Sequence, residues 1–343
     1  MNTFTKKIWV LFIGLFLILP SQSFALKFKN IVTFGDSLSD HGNLQSQIPD
    51  QPATKSNGDV WVDYLKKELN AELTNYAVIG AMTSKHLNDN VQAMSDAREI
   101  SQLGFVSQVD QFIEDPIDFE PSETLFTVWI GANNFIKFGY GQLGTDPIAM
   151  IQNAMSDITG ALEKLLNIGA KHIVILTLPD IGKSPWYNKR AESEIKAATD
   201  LASTYNYYLL TTVDQVTANY SDITVYKFDL FQIMDELLAI DLFPNETDSY
   251  MKLDASGYAL TETNGPPENY LFYDAVHPMT KAHEYFSKIV AERVIYHGYV
   301  TQQALDDAVL DERLKWDIKN DNRIGIEEAI HALKTCSEMK VDN

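Results

Sequence analysis

Apolar positions along this chain follow two alternating rhythms. Ile31-Val32-Thr33-Phe34 is a short apolar run closed by Gly35, and Leu125–Ile130, Ile173–Leu178 and Ile223–Phe228 are similar runs rich in β-branched and aromatic residues. Runs of this length bounded by turn formers predict buried strands. Between them the period becomes helical: Ile148, Ile151, Met155, Ile158, Leu162 and Leu165 recur on one face and stop before Gly169. Trp61, Tyr64, Leu65 and Leu69 mark a second amphipathic helix, and Ala282–Ile295 a late one. This alternation predicts an α/β fold, a mostly parallel sheet covered by helices on both faces. The stretch Asp241–Tyr270 carries neither rhythm and, with Phe243, Pro244, Gly265, Pro266 and Pro267, reads as a long functional loop. No internal repeat or low-complexity tract interrupts the pattern.

The first residues break it differently. Lys6 and Lys7 precede an apolar run, Ile8–Leu19, followed by Pro20 and Ser23-Phe24-Ala25. That order predicts a cleaved export leader over residues 1–25. The run is shorter than the roughly 20 residues a spanning helix needs, and no later stretch is long and apolar enough. The expected product is exported, secreted or periplasmic, without a transmembrane segment.

Composition is that of a globular protein, 45% apolar and 22% charged, but the formal net charge is −20. Losing Lys6 and Lys7 makes it more negative still. Such a field repels phosphate backbones and anionic headgroups, which argues against nucleic acid as a partner and against polybasic membrane docking. Cys336 is the sole cysteine and can form no intrachain disulfide. His41, His86, His172, His283, His297 and His331 show no metal-ligand spacing, and no cofactor is expected. His41, four residues after Ser37, could line the site but reads rather as a solvated side chain at a helix start.

Candidate chemistry gathers where predicted strands end. Ser37 follows the first strand at a turn toward a helix, where side chains of an α/β sheet face the ligand crevice; an N-cap is its bland alternative. Asp274 and His277 are three residues apart, close enough for the acid to orient the ring. Gly80 ends the strand-like run Asn75–Ile79, and Asn133 follows the strand ending in Trp129-Ile130-Gly131. A glycine N–H and a side-chain amide there are suitable donors for a developing oxyanion.

Gly35-Asp36-Ser37-Leu38, Gly80, Gly131-Ala132-Asn133-Asn134 and Asp274-Ala275-Val276-His277 resemble, in order and approximate spacing, the four blocks of the GDSL esterase/lipase family of SGNH hydrolases. The resemblance runs from about Ile31 to Ile295. Ser56-Asn57-Gly58-Asp59-Val60-Trp61, Gln108-Val109-Asp110-Gln111-Phe112 and Tyr205-Asn206-Tyr207-Tyr208-Leu209 are further echoes. It implies a three-layer α/β/α sandwich of flavodoxin-like type, with Ser37 as nucleophile, His277 as general base and acid, and Asp274 as its orienter. It implies an oxyanion hole made by the backbone N–H groups of Ser37 and Gly80 and the Asn133 amide. Asn134 departs from the family, which usually has Asp there, with little loss expected. The Gly-x-Ser-x-Gly elbow of α/β-hydrolases is absent around Ser37.

The sequence looks most like the secreted bacterial phospholipase, lysophospholipase and acyltransferase branch, which implies a lipid or other acyl-ester substrate. Leu242, Phe243, Tyr250, Tyr258 and Tyr270 could wall an acyl chain or equally form a local core. A carbohydrate or small-ester acetylesterase, and a non-catalytic binding protein on the same scaffold, are the alternatives. The expected organisation is a leader over 1–25, the hydrolase domain over 26–300, and a helical tail over 301–343. Within that tail, 317–328 reads as a degenerate EF-hand-like loop with Asp317, Asp321 and Glu328 in ligand positions. Lys319 stands where a third oxygen belongs, so Ca²⁺ binding is expected to be weak or absent.

Overall fold

A computed structural model of the chain describes residues 28–87, 102–115, 119–139, 141, 143–240, 242–254 and 259–296. The expected leader, Tyr258, Cys336 and the tail with Asp317, Asp321 and Glu328 lie outside the described residues.

Five strands form a wholly parallel sheet: β1 (Asn30–Gly35), β2 (Glu72–Asn75), β3 (Thr124–Trp129), β4 (His172–Leu176) and β5 (Thr224–Phe228). Their order is β2-β1-β3-β4-β5, which puts a reversal of winding at β1 and β3. All four predicted strands appear within two residues of the expected ends, and β1, β3 and β4 among them are apolar runs buried on both faces. Val32, Phe34, Phe126, Val128, Ile173 and Ile175 face one core. Ile31, Leu125, Trp129, Val174, Leu176, Tyr226 and Phe228 face the other.

Helices α1 (Asn43–Gln47), α2 (Trp61–Leu69), α3 (Phe105–Glu114), α4 (Ala132–Gly139), α5 (Pro147–Asn167), α6 (Glu192–Thr217), α7 (Leu230–Ala239) and α8 (Thr280–Tyr296) connect and follow the strands. Buried residues of α3, α5 and α6 fill the first core, and those of α2, α7 and α8 the second. The helix predicted through Leu165 is α5. Its start is set by Asp146, whose side chain accepts from Ile148 N and Ala149 N, and by Pro147, whose missing N–H costs nothing in a first turn. Among the described residues, no helix is long and apolar enough to cross a membrane.

Two expectations are corrected. The strand before Gly80 ends at Asn75. Tyr76 N and Val78 N still donate to Thr33 O and Gly35 O, but Asn75 Oδ1 accepts Ala77 N, and Asn43 Nδ2 takes the carbonyls of Asn75 and Ala77. Side-chain amides thus replace the ladder from Asn75 onward. The supposed loop Asp241–Tyr270 contains β6 (Asn245–Ser249), β7 (Met251–Leu253) and β8 (Ala259–Thr263), and leads into β9 (Tyr270–Phe272). β6 pairs parallel with β9, and β7 antiparallel with β8. Strands this short and polar show too few alternations to be read from pattern.

Candidate active site

Ser37 sits two residues beyond β1, buried with 8% of its surface exposed. The corner it occupies is very close-packed. A Cβ on Gly35 would stand 2.6 Å from Trp129 O, so only glycine lets β1 and β3 approach there. Where β2 has already ended, Gln108 of α3 stands in for a strand. Its Oε1 accepts from Gly35 N at 2.9 Å and its Nε2 donates to Gly35 O at 2.9 Å. Ser37 is therefore held by the sheet on one side and a buried amide on the other.

His277 arrives from the far end of the chain, between β9 and α8. Its Nε2 lies 2.7 Å from Ser37 Oγ, and its Nδ1 lies 2.8 Å from both oxygens of Asp274. Asp274 Oδ1 also accepts from the backbone N–H groups of Val276 at 3.0 Å and His277 at 2.9 Å, so the carboxylate shapes the turn as well as the ring. An ionised carboxylate only accepts, so Nδ1 carries the proton and Nε2 is left to accept from the serine hydroxyl. Burial pushes the Asp274 carboxyl up, but the His277 charge and these donors outweigh it and hold it below its ordinary value. Outside the turn, Trp186 N donates to Ala275 O and Tyr273 N to His277 O.

Asn133 is buried at the start of α4, and its Nδ2 donates to Ala81 O at 3.0 Å, tying it to the residue after Gly80. Gly80 is left-handed, with φ +85°. Asp40 braces that segment by accepting from Gly42 N, Asn43 N, Leu44 N and Ile79 N. Asp36 was missed in the sequence. It is wholly buried beside Ser37, accepts from Leu38 N at 3.1 Å and bonds the Asn133 side chain. Burial pushes its carboxyl up to about 6 against the pull of Leu38 N–H, the His277 charge and that amide.

Two echoes of the sequence acquire roles. Gln108 clamps Gly35 as described, and Asn206 does the same to Leu178, accepting from its N–H at 2.8 Å and donating to its carbonyl at 2.7 Å. Tyr205 OH donates to Ile130 O, and at Gly131, with φ +123°, a Cβ would strike that hydroxyl at 2.2 Å. A single polar residue in an amphipathic helix looks like a solvent-facing one, so these clamps carried no signal beyond the resemblance.

Other expectations change. His41 is half-buried and not solvated at a helix start: its Nδ1 is 2.9 Å from Asp63 Oδ1, a hydrogen bond that raises its pKa despite burial. Phe243 and Tyr270 are buried, and Phe243 packs into the core of α2, α7 and α8. Among the described residues, no group of three or more His, Cys, Asp or Glu is placed to hold a metal ion.

Asn134 is also more constrained than expected. It accepts from Thr83 N at 3.0 Å and donates through Nδ2 to Thr83 Oγ1 at 2.9 Å, while that hydroxyl donates to Asp157 Oδ2 at 2.9 Å. Asn134→Asp would set two carboxylates against one hydroxyl hydrogen. It is expected to cost about 1–3 kcal/mol in denaturant unfolding, and adding Asp157→Asn should recover most of that loss. Unchanged stability in the single variant would contradict this arrangement.

Comparison with known proteins places these features in context. The family described as GDSL-like Lipase/Acylhydrolase matches residues 31–290. The chain is similar to the thermolabile hemolysin of Vibrio parahaemolyticus serotype O3:K6, 26% identical over 288 residues, covering 78% of this chain and 63% of that protein. It is similar to a phosphatidylcholine-sterol acyltransferase of Aeromonas hydrophila, 29% identical over 197 residues and 55% of each chain. An acetylesterase of Thermothelomyces thermophilus is 26% identical over 296 residues, covering 80% of this chain and 90% of that one. The chain thus spans less than two thirds of the length of the hemolysin and of the acyltransferase.

Proposed function

The chain belongs to the GDSL-like lipase/acylhydrolase family, and from that premise we propose that it is a carboxylic ester hydrolase that cleaves lipid acyl esters through an acyl-enzyme on Ser37. The observation that carries this reading is the 2.7 Å contact of Ser37 Oγ with His277 Nε2, with Asp274 behind the ring. Ser37 Oγ attacks the ester carbonyl carbon as its proton passes to His277 Nε2. The carbonyl oxygen becomes an oxyanion among the N–H groups of Ser37 and Gly80 and the Asn133 amide. As the tetrahedral intermediate collapses, the C–O bond to the alcohol breaks and His277 returns the proton to the leaving oxygen. Water, or an alcohol acceptor, then repeats the sequence against the acyl-enzyme. Donors aimed at charge that exists only in the transition state lower the barrier without tightening ground-state binding.

A lipid acyl group is supported by the relatives named for phosphatidylcholine-sterol acyl transfer and hemolysis. The acetylesterase relative supports a second reading, a small-ester or carbohydrate deacetylase on the same residues. Fatty-acid release from lysophosphatidylcholine and phosphatidylcholine, set beside acetate release from acetylated sugars and a p-nitrophenyl ester series, separates them. Turnover efficiency rising from acetyl to octanoyl esters is expected. A fall along that series would overturn the lipid reading in favour of the deacetylase. Export is proposed with it, on the composition of residues 1–25.

A further inference from the structure

Ser56-Asn57-Gly58-Asp59, just before α2, takes no part in the chemistry above, yet it is bonded to the residues that follow His277. Ser56 Oγ donates to Pro278 O at 3.0 Å. Thr280 N donates to Asn57 Oδ1 at 2.9 Å, and Thr280 Oγ1 donates to Asp59 O at 2.7 Å. That hydroxyl has one hydrogen, so at its 2.7 Å contact with Tyr64 OH the tyrosine is the donor. Gly58 lies flat on the same threonine: a Cβ there would stand 3.0 Å from Thr280 Oγ1. Thr54 Oγ1 in turn holds the segment together through Ser56 O and Gly58 O.

Thr280 opens α8, and its N–H is one of the donors a helix start leaves without an internal partner. Asn57 supplies the missing oxygen from a distant part of the chain, as a cap residue normally does from the adjoining one. Met279 N, between the two latched residues, donates to Leu271 O, and Tyr273 N donates to His277 O, which tie the turn to β9. The turn is therefore held from both flanks, and the outer flank is this segment.

We infer that Ser56–Asp59 is a positioning latch that sets the His277 ring against Ser37 by holding Pro278 and Thr280. The inference rests on His277 being the general base. Its physical content is precision: general-base catalysis tolerates little displacement, and the Asn57 side chain, being exposed, contributes little to the core.

Asn57→Ala is expected to lower kcat by about 10–10²-fold, the scale of a sub-ångström to 1 Å misplacement, while KM stays within about twofold. Fluorophosphonate labelling of Ser37 should slow by the same factor and thermal unfolding should hardly move. Asn57→Asp keeps an acceptor oxygen at the helix start and should restore most of the rate. Ser56→Ala should show a smaller loss of the same kind, and it decides the matter if Asn57→Ala does not fold. Wild-type kcat in these alanine variants, a change confined to KM, or an aspartate no better than alanine would overturn the latch. His277→Ala distinguishes the two levels: full activity there would end the general-base reading and the latch with it. Loss there beside wild-type turnover in Asn57→Ala would remove the latch alone.

Discussion

Ser37→Ala will abolish ester hydrolysis, lowering kcat by about 10⁴–10⁶-fold, while leaving the protein folded. The size of the loss follows from the role proposed for the hydroxyl: with it goes the atom that would carry the acyl group, and the residue left behind can at most position water. The mildness of the structural effect follows from its surroundings. The position is fixed through Gly35 by the sheet, Trp129 O and Gln108, none of which touches the hydroxyl. Only the contact to His277 Nε2 is given up. A fluorophosphonate probe should modify the wild-type protein at Ser37 and leave the variant unmodified, with matching circular dichroism. Wild-type turnover by the alanine variant would refute a covalent mechanism at this residue.

Asp274→Asn is expected to cost about 10⁴-fold in kcat. The carboxylate has two duties, and the amide fails at both. Opposite His277 Nδ1 it would present, in one orientation, an N–H that forces the ring into the tautomer with a protonated Nε2, which cannot take the serine proton. In the other orientation that N–H is set against the backbone donors of Val276 and His277. The acid side can be checked as well. The folded-state pKa of Asp274 is depressed, so its contribution to stability is complete above the unfolded value near 3.8 and is lost as pH falls through the lower folded value. Asp274→Asn should therefore destabilise the protein at neutral pH and converge with wild type in strong acid. Equal stabilities at neutral pH, or a loss of less than about tenfold in kcat, would show that Asp274 neither shapes the turn nor sets the tautomer.

Much of this architecture was legible in sequence because burial on both faces writes itself plainly: Leu125 to Trp129 and Ile173 to Leu176 could hardly be anything but central strands. The contact between Asp274 and His277 was legible for a different reason: three residues apart, the two meet within one turn, whereas Ser37 was singled out with them only by the resemblance and is brought to His277 by the fold. What escaped was polar and long-range. Gln108, Asn206 and Asn57 are ordinary amides in their local contexts, and their partners lie 73, 28 and 223 positions away. Asp36 escaped because a charged residue beside a nucleophile reads as a turn former until its burial is known. Asn134 escaped because its constraint comes from Thr83 and Asp157, on two other parts of the chain. β6 and β7 escaped because strands of five and three residues show too few alternations to announce themselves.

The order of the chemical groups along the chain has a consequence for the protein's birth. Ser37 and His277 are separated by 240 residues. At synthesis rates of about 5–20 residues per second, the serine is added to the chain roughly 12–48 seconds before the histidine. Its partner then becomes useful only after α8 has settled against the elements around α2, since the latch to Thr280 joins the two. During that interval the nascent polypeptide holds an ordinary alcohol without a base. On the proposed mechanism, ester-cleaving activity therefore arises only once β9 and α8 have closed, and a chain truncated between the two residues lacks it.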